Sequence, residues 1–163
     1  MAASREQATN GGSLTDETPG TALHHGGTYR QAMAINPSDL TDDAITFLTQ
    51  RHLATLTTVD SEGRPHAVPV GFTWDPASGL ARIITRRGSK KARRLTAAPG
   101  SPVTVCQIDG GRWLAMEGTA VVTEDPDRVA EAVARYTARY RQPEENSERV
   151  AIEITIERVI GRW

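Results

Sequence analysis

Short segments with a two-residue period, separated by turn sequences, are the feature that most limits how this chain can fold. From Leu53 the residues alternate between two faces, and Asp60-Ser61-Glu62-Gly63 ends that segment. Comparable turn sequences stand at Asp75-Pro76-Ala77-Ser78-Gly79 and at Asp109-Gly110-Gly111. Such alternation favours half-buried strands, and turns rich in Asp and Gly favour hairpins between them. The chain is therefore predicted to be mainly β, with a sheet built from antiparallel hairpins.

Six strands and three marginal helices account for most of the chain. The strands are predicted at residues 53–58, 65–74, 80–85, 103–108, 113–123 and 150–160. Ser38 or Thr41 can cap a first helix, a second is predicted over residues 89–98, and Asp125-Pro126 opens a third that runs to about Arg141. These elements predict a six-stranded antiparallel β-barrel, closed or nearly closed, with flanking helices. No P-loop or GxGxxG sequence is present, which disfavours the common nucleotide-binding folds.

Two of the predicted strands carry further information. Pro69 lies in the second strand and cannot donate a ladder hydrogen bond, so it predicts a sheet edge or a bulge. Alternation in the last strand predicts one buried face and one solvent-facing face. The buried face would contain Val150, Ile152, Ile154 and Ile156, and the solvent-facing one Ala151, Glu153, Thr155 and Glu157. Arg158 falls in the apolar register, so burial is expected to end near it.

The length predicts one folded domain preceded by a tail. A chain of 163 residues suits a single core of ordinary size. Residues 1–37 are rich in small and polar residues, and their few apolar residues follow neither period, so a flexible tail is predicted there. The folded, cofactor-binding domain is expected over residues 38–163. His24 and His25 lie in the tail and are assigned no metal-binding role.

The composition disfavours several classes of function. The formal net charge of -1 lacks the basic excess of proteins that bind nucleic acid without specificity. Cys106 is the single cysteine, so neither an intramolecular disulfide nor a cysteine-rich metal site is expected. No apolar stretch approaches the roughly 20 residues of a membrane helix, and the N-terminus lacks the pattern of a signal peptide. We expect a cytoplasmic protein without membrane or nucleic-acid partners.

A basic segment that follows a strand and opens a helix is the strongest candidate for a binding site. It reads Thr85-Arg86-Arg87-Gly88-Ser89-Lys90-Lys91-Ala92-Arg93-Arg94 and contains both lysines of the chain. A helix N-terminus offers free N–H groups and a positive dipole end, and hydroxyl and basic side chains add further donors. The segment therefore predicts a phosphate or polyanion site. A solvated basic helix face is the alternative, and a nucleic-acid surface would lack aromatic side chains for base stacking.

Two further places could contact a flat ring. Pro69 and Val70 could present strand backbone to a heterocycle, although an ordinary edge strand has the same sequence signature. Gln107 and Trp113 could pair with and cover a ring, although Trp113 fits a core position equally well. No nucleophile stands in a recognisable motif with a base, and no catalytic residue is identified. An anion site without a reactive side chain indicates that a cofactor carries the chemistry.

Several short motifs stand in a specific order between residues 39 and 161. They are Gln50-Arg51-His52-Leu53-Ala54, Pro65-His66, Val70-Gly71-Phe72-Thr73, Gly88-Ser89 with Lys91-Ala92, Asp109-Gly110 with Arg112-Trp113-Leu114, Glu117-Gly118, Arg139-Tyr140-Arg141 and Ile156-Glu157-Arg158-Val159. In order and spacing they resemble the pyridoxamine 5'-phosphate oxidase-like family of split barrels, which includes the flavin and deazaflavin oxidoreductases. Within that family the likeness is greatest to biliverdin reductases that use coenzyme F-420.

This resemblance implies a homodimer with two cofactor sites at the subunit interface. Lys91 would hold the phosphate or acidic tail of F-420 with help from Thr85, Arg86 and Ser89. Pro69 and Val70 would lie along the deazaflavin ring. Gln107 and Trp113 would approach from the partner subunit. The implied reaction is hydride transfer to the central methine bridge of biliverdin, which gives bilirubin. The proton would come from solvent or a nearby arginine.

Three alternatives stay open at this point. An FMN-dependent oxidase or reductase could use the same barrel, because one phosphate can bind the same helix end. A non-catalytic binder of haem, flavin or a tetrapyrrole would also need no general acid. A nucleic-acid or partner-binding barrel could use the basic helix, although the near-neutral net charge disfavours it.

Overall fold

A computed structural model describes residues 34–163 of the chain. The strands are β1 (Ala54–Val59), β2 (Pro65–Val70), β3 (Thr73–Asp75), β4 (Leu80–Arg86), β5 (Ser101–Asp109), β6 (Arg112–Thr123) and β7 (Arg149–Arg162). The helices are α1 (Asp42–Thr49), α2 (Lys90–Ala97) and α3 (Pro126–Arg139), and a 3-10 turn spans Pro37–Asp39. The mainly β prediction with three flanking helices is confirmed.

The strands form one antiparallel sheet in the order β2-β1-β5-β6-β7-β4-β3. β2 and β3 stand at its two edges, and no ladder joins them within the described part of the chain. The predicted count of six strands is wrong, because the predicted second strand divides into β2 and β3 at Gly71-Phe72. At this break both backbone groups of Phe72 bond to side chains near the end of α3 instead of a neighbouring strand. The strands do not close into a barrel, because no ladder joins the two edge strands among the described residues.

The core contains buried residues from all seven described strands. α1 contributes Phe47 and Leu48 to the same buried cluster as Leu56 of β1, Leu114 of β6 and Ile152 of β7. Of the two predicted caps of α1, Thr41 is correct, since its Oγ1 accepts a hydrogen bond from the N–H of Ala44, whereas Ser38 lies in the preceding 3-10 turn. Leu95 of α2 joins the same cluster, so two helices pack on the core while the sheet supplies most of its residues.

α3 covers part of the outer face of the sheet, and this overturns the prediction for β7. It packs against β3, β4 and β7. Ala151 and Glu153, which were expected to face solvent, are therefore buried, with 0% and 5% of their surfaces exposed. Thr155 and Glu157 are exposed as expected. Alternation along one strand cannot reveal a helix from elsewhere that covers its polar side.

Glu153 is buried within a network of charges beneath α3. Its carboxylate accepts hydrogen bonds from Arg128 of α3 and lies 3.5 Å from Arg82 of β4. Arg82 also donates to Asp75 at 3.1 Å. The hydrogen bond from Ser78 to Asp75, opposed by burial and assisted by the nearby guanidinium groups, lowers the pKa of that carboxyl below its ordinary value. Buried carboxylates of this kind require such partners to offset the loss of hydration.

A bulge between β6 and β7 changes which residues of β7 face inward. Gly118 pairs with Ile156, whereas the preceding Glu117 pairs with Arg158, so Glu157 is an extra residue. Val159 consequently points into the core with 0% exposure. Val159 is the last buried residue, so burial ends near Arg158 as predicted, but Arg158 itself is exposed and not in the inward-facing register.

Backbone pairing begins before the predicted start at Ser38. Ile35 and Val159 exchange hydrogen bonds of 2.8 and 2.9 Å, which attaches the chain entering the domain to β7. His24, His25 and the rest of residues 1–33 lie outside the described residues. Among the described helices, none is both long and apolar enough to cross a membrane.

Candidate functional site

A cleft of about 860 Å³ lies between β2, the end of β4, the start of α2 and the segment that follows α3. Its lining includes six of the eight predicted site residues: Pro69, Val70, Thr85, Arg86, Ser89 and Lys91. These residues come from two separate stretches of sequence, which the antiparallel sheet brings to one end of the molecule.

The start of α2 forms one end of the cleft and has the features of an anion site. Ser89 caps this helix, since its Oγ accepts from the N–H of Ala92 at 3.3 Å. The same oxygen accepts from Thr85 Oγ1 at 3.2 Å, which leaves the Ser89 hydroxyl hydrogen available to a ligand. The free N–H groups of the first turn and the positive dipole end favour an anion here.

The basic segment divides into paired and unpaired side chains. Arg87 forms a 2.9 Å ion pair with Glu124, and Arg94 lies 3.5 Å from Asp60. Arg86 and Lys91 line the cleft, and neither pairs with any carboxylate of residues 34–163. Lys91 is half-buried, and burial lowers its pKa from the ordinary value. A partly desolvated ammonium without a carboxylate partner attracts an anion more strongly than an exposed one.

The edge strand β2 forms the second wall. Pro69 is exposed and pairs with Thr55 of β1, and the other edge of β2 has no strand neighbour among the described residues. The predicted sheet edge at Pro69 is therefore confirmed. Gly71 and Tyr136 continue this wall toward α3. The wall offers backbone and an aromatic side chain, which suits a flat ring.

The segment after α3 forms a third wall of mixed charge. Arg141, Glu144, Glu145, Glu148 and Arg149 all line the cleft. The guanidinium group of Arg149 donates to the carbonyl oxygen of Glu144, which fastens the segment to the start of β7. Sequence reasoning missed this wall because the segment has no period from which its orientation could be derived.

Gln107 and Trp113 do not line the cleft of their own chain. Gln107 is fully buried, its Nε2 donates to the Phe47 carbonyl at 2.6 Å, and its Oε1 accepts from Arg139 at 2.7 Å. Both ends of the amide thus have partners within the chain, and no surface of it is open to a ligand. Trp113 is half-buried on β6, where it pairs with Ile108.

The cleft holds no recognisable catalytic acid or base with a partner. Among the described residues, no group of three or more His, Cys, Asp and Glu side chains is arranged to hold a metal ion. Cys106 is half-buried on β5, and burial raises the pKa of its thiol. The arrangement fits a bound group with an anionic end and a flat ring, which would bring its own chemistry.

Comparison with known proteins places this architecture in a family. The family model described as pyridoxamine 5'-phosphate oxidase matches residues 40–162. The chain belongs to the pyridoxamine 5'-phosphate oxidase family. A curated member of similar sequence is the F-420H(2)-dependent biliverdin reductase of Mycobacterium tuberculosis (strain CDC 1551 / Oshkosh), which is 48% identical over 130 residues, or 80% of this chain and 93% of that protein.

Solved structures of lower identity share the fold of this pyridoxamine 5'-phosphate oxidase family member. A structure named F-420 reductase has a TM-score of 0.59 and 22% identity, covering 74% of this chain and 98% of its own. A haem storage protein from Vibrio cholerae has a TM-score of 0.58 and 19% identity, covering 69% and 86%. These likenesses support the split-barrel prediction for the fold alone.

Proposed function

We propose that this protein is an F-420-dependent reductase that transfers a hydride from the reduced deazaflavin to biliverdin and forms bilirubin. The relative that carries this activity in its name is 48% identical over 93% of its length, which supports the same cofactor and substrate here. The observation that carries the proposal is the anion-binding end of the cleft. There Lys91 lies half-buried beside the N-terminus of α2, without a carboxylate partner among the described residues.

Two sides of the cleft, the start of α2 and the β2 wall, would hold the cofactor. Lys91 would bind the phosphate or the acidic tail, assisted by Thr85, Arg86 and Ser89. Pro69 and Val70 would lie along the ring, at the edge of β2 that has no strand neighbour within residues 34–163. The bound deazaflavin supplies the hydride. The protein contributes orientation of the two reactants and exclusion of water, which can account for a large share of the rate.

A basic rim suits the carboxylates of a tetrapyrrole. Besides Arg86, which is assigned to the cofactor, Arg141 and Arg149 line the cleft, and guanidinium groups bind carboxylates through paired, charge-assisted hydrogen bonds. The proton that completes the reaction would come from solvent or from an arginine of this rim.

The protein is proposed to act as a homodimer through the outer face of β1, β5 and β6. Leu53 and Ile108 are 64% and 60% exposed there, and Ile108 pairs with Trp113. Large exposed apolar side chains that cluster on one face are typical of an interface. In the dimer Trp113 would reach the partner's cofactor, whereas Gln107 would act inside its own chain.

Sedimentation velocity on the full chain is expected to give a dimer. Ile108→Asp is expected to shift it to monomer, because an unpaired carboxylate in an apolar interface loses its hydration. Ala134→Asp places the same charge on the exposed surface of α3 and is the matched control. A wild-type monomer, or equal effects of the two substitutions, would contradict the proposed interface.

FMN is the second candidate cofactor, and one feature of the cleft favours it. Glu144, Glu145 and Glu148 line the same cleft as Lys91 and would repel the carboxylates of a long acidic tail. A single phosphate at α2 would avoid them. This reading keeps the fold and the anion site but changes the cofactor and the substrate.

Titration of the purified full chain separates these possibilities. The protein is titrated with F-420 and with FMN by fluorescence, and biliverdin is then added to each reduced complex. We expect F-420 to bind at least about tenfold more tightly, a difference of about 1.4 kcal/mol, and biliverdin absorption to disappear with stoichiometric oxidation of the cofactor. Preference for FMN would overturn the cofactor assignment. Tight binding of a bilin without turnover would indicate a non-catalytic binder.

A further inference from the structure

We infer that Arg139 and Tyr140 are positioning residues that hold the β2 wall at the distance hydride transfer requires. Both residues lie at the end of α3, and neither lines the cleft. Their side chains instead bond to the chain at the break between β2 and β3. The inference rests on the proposed function and assigns a role that the binding residues do not fill.

Tyr140 joins two separate stretches of backbone. Its hydroxyl donates to the carbonyl of His52 at 2.7 Å and accepts from the N–H of Phe72 at 3.2 Å. His52 lies between α1 and β1, and Phe72 lies between β2 and β3. One hydroxyl therefore satisfies two backbone groups that no strand of the described part of the chain satisfies. Burial raises the pKa of Tyr140, so the hydroxyl keeps its proton at neutral pH.

Arg139 bonds to the same part of the backbone, and we call Arg139 and Tyr140 together the clamp. Its Nη1 donates to the Phe72 carbonyl at 2.6 Å, and its Nε and Nη2 donate to the Gln50 carbonyl at 3.0 and 2.6 Å. Its guanidinium carbon lies 4.4 Å from the centre of the Phe72 ring. Nη2 also donates to Gln107, so the buried amide supports the guanidinium group.

The chemistry of Arg139 favours a positioning role over simple stabilisation. Its partners are carbonyls, an amide and aromatic rings, and no carboxylate among the described residues pairs with it. Burial lowers its pKa from the ordinary value, which reflects an incompletely compensated charge. An apolar side chain would fill this space at a smaller desolvation cost. An apolar side chain would not donate hydrogen bonds to the backbone carbonyl of Phe72 and so would not fix its position.

The clamp connects to the cleft through the residues just before Phe72. Pro69, Val70 and Gly71 line the cleft, and a Cβ on Gly71 would lie 2.8 Å from Tyr136 Cε2. The rings of Tyr136 and Tyr140 are 4.8 Å apart between centres. The backbone of the β2 wall thus rests directly on the two tyrosines. Any shift of Phe72 moves the surface along which the ring of the cofactor would lie.

The two ends of the cofactor should therefore respond differently to loss of the clamp. The anionic end is held at α2, which the clamp does not contact. The ring end must bring the reacting atoms to about 3–3.5 Å, and a misplacement of about 1 Å can cost about a hundredfold in rate. Loosening the clamp is expected to reduce the rate while leaving most of the affinity.

Tyr140→Phe removes one oxygen atom from the clamp and keeps the ring. We expect the single-turnover rate of biliverdin reduction at saturating cofactor to fall about tenfold to a hundredfold. The Kd for F-420 should change by less than about threefold. Arg139→Lys should restore part of the rate lost in Arg139→Ala, because an ammonium can reach one carbonyl but not all of them.

Val103→Ala is the control for a loss of stability alone, since Val103 is a core residue of β5 outside the clamp and the cleft. Even if its Tm falls as much as that of Tyr140→Phe, its single-turnover rate should stay within about threefold of wild type. If Val103→Ala slows the reaction as much as Tyr140→Phe, or if Tyr140→Phe binds F-420 normally and reacts at the wild-type rate, the inference is overturned.

Hydrogen exchange of the Phe72 amide in the cofactor-free protein tests the clamp without any turnover. Tyr140→Phe should accelerate this exchange, and Val103→Ala should not. Failure of wild-type protein to reduce biliverdin overturns the proposed function, whereas unchanged Phe72 exchange overturns the clamp.

Discussion

Replacing Lys91 with Ala is expected to weaken cofactor binding by about tenfold to a hundredfold, the largest effect of any single side chain in the cleft. A hydrogen bond to a charged group contributes about 1.5–3 kcal/mol. Lys91 pairs with no carboxylate of the described chain, so no such pair competes with the ligand. The affinity is measured by fluorescence titration of F-420 into the purified protein. The Tm should stay close to wild type, because no described ion pair is lost.

Lys90→Ala is the matched control for Lys91→Ala. It removes the same charge from the adjacent position, but Lys90 is exposed and does not line the cleft. Its effect on affinity should be less than about threefold, since a distant exposed charge is screened by salt. Equal losses in the two variants would mean that only the overall charge of α2 matters. An unchanged affinity in Lys91→Ala would place the phosphate elsewhere.

Gly118→Ala is expected to be the most damaging substitution for folding. A Cβ at this position would lie 1.9 Å from the carbonyl oxygen of Thr155 and 2.8 Å from its carbonyl carbon. Those atoms belong to the backbone of β7 and cannot move aside as a side chain would, so the ladder at the bulge must separate. We expect a loss of about 3 kcal/mol or more in the free energy of unfolding, measured by chemical denaturation.

Gly88→Ala makes the same chemical change where there is room for it. No atom of residues 34–163 lies within 4 Å of a Cβ built on Gly88. Its free energy of unfolding should stay within about 1 kcal/mol of wild type, and lower entropy of the unfolded chain could even raise it. If Gly118→Ala lowers the free energy of unfolding equally little, β6 and β7 do not approach as closely at the bulge as described.

The sequence predicts those parts of the fold that local patterns determine. The turns at residues 60–63 and 109–111 and the cap at Thr41 depend on neighbouring residues, and each stands where it was expected. The break after Val70 depends on Arg139 and Tyr140, which follow almost seventy positions later. The sequence of residues 65–74 contains no signal for those partners, so it predicts one continuous strand and not the break.

The candidate site shows the same division between local and distant causes. Thr85, Arg86, Ser89 and Lys91 share one strand-to-helix junction, so their clustering follows from a single local prediction. The burial of Gln107 could not be derived in this way. Its environment is built by α1 and by the end of α3, and only the assembled chain shows that both ends of its amide are already bonded.

The bulge opposite Glu117 also determines where this strand can differ in length among relatives. Removing a residue of β7 other than Glu157 or Arg158, the two residues opposite Glu117, would exchange the inner and outer side chains on one side of the deletion. Removing Glu157 would leave Arg158 directly opposite Glu117 and Val159 still in the core, because Glu157 is the residue without a counterpart on β6. A one-residue gap at this position in an alignment is therefore structurally silent, and residues on either side of it remain comparable one by one.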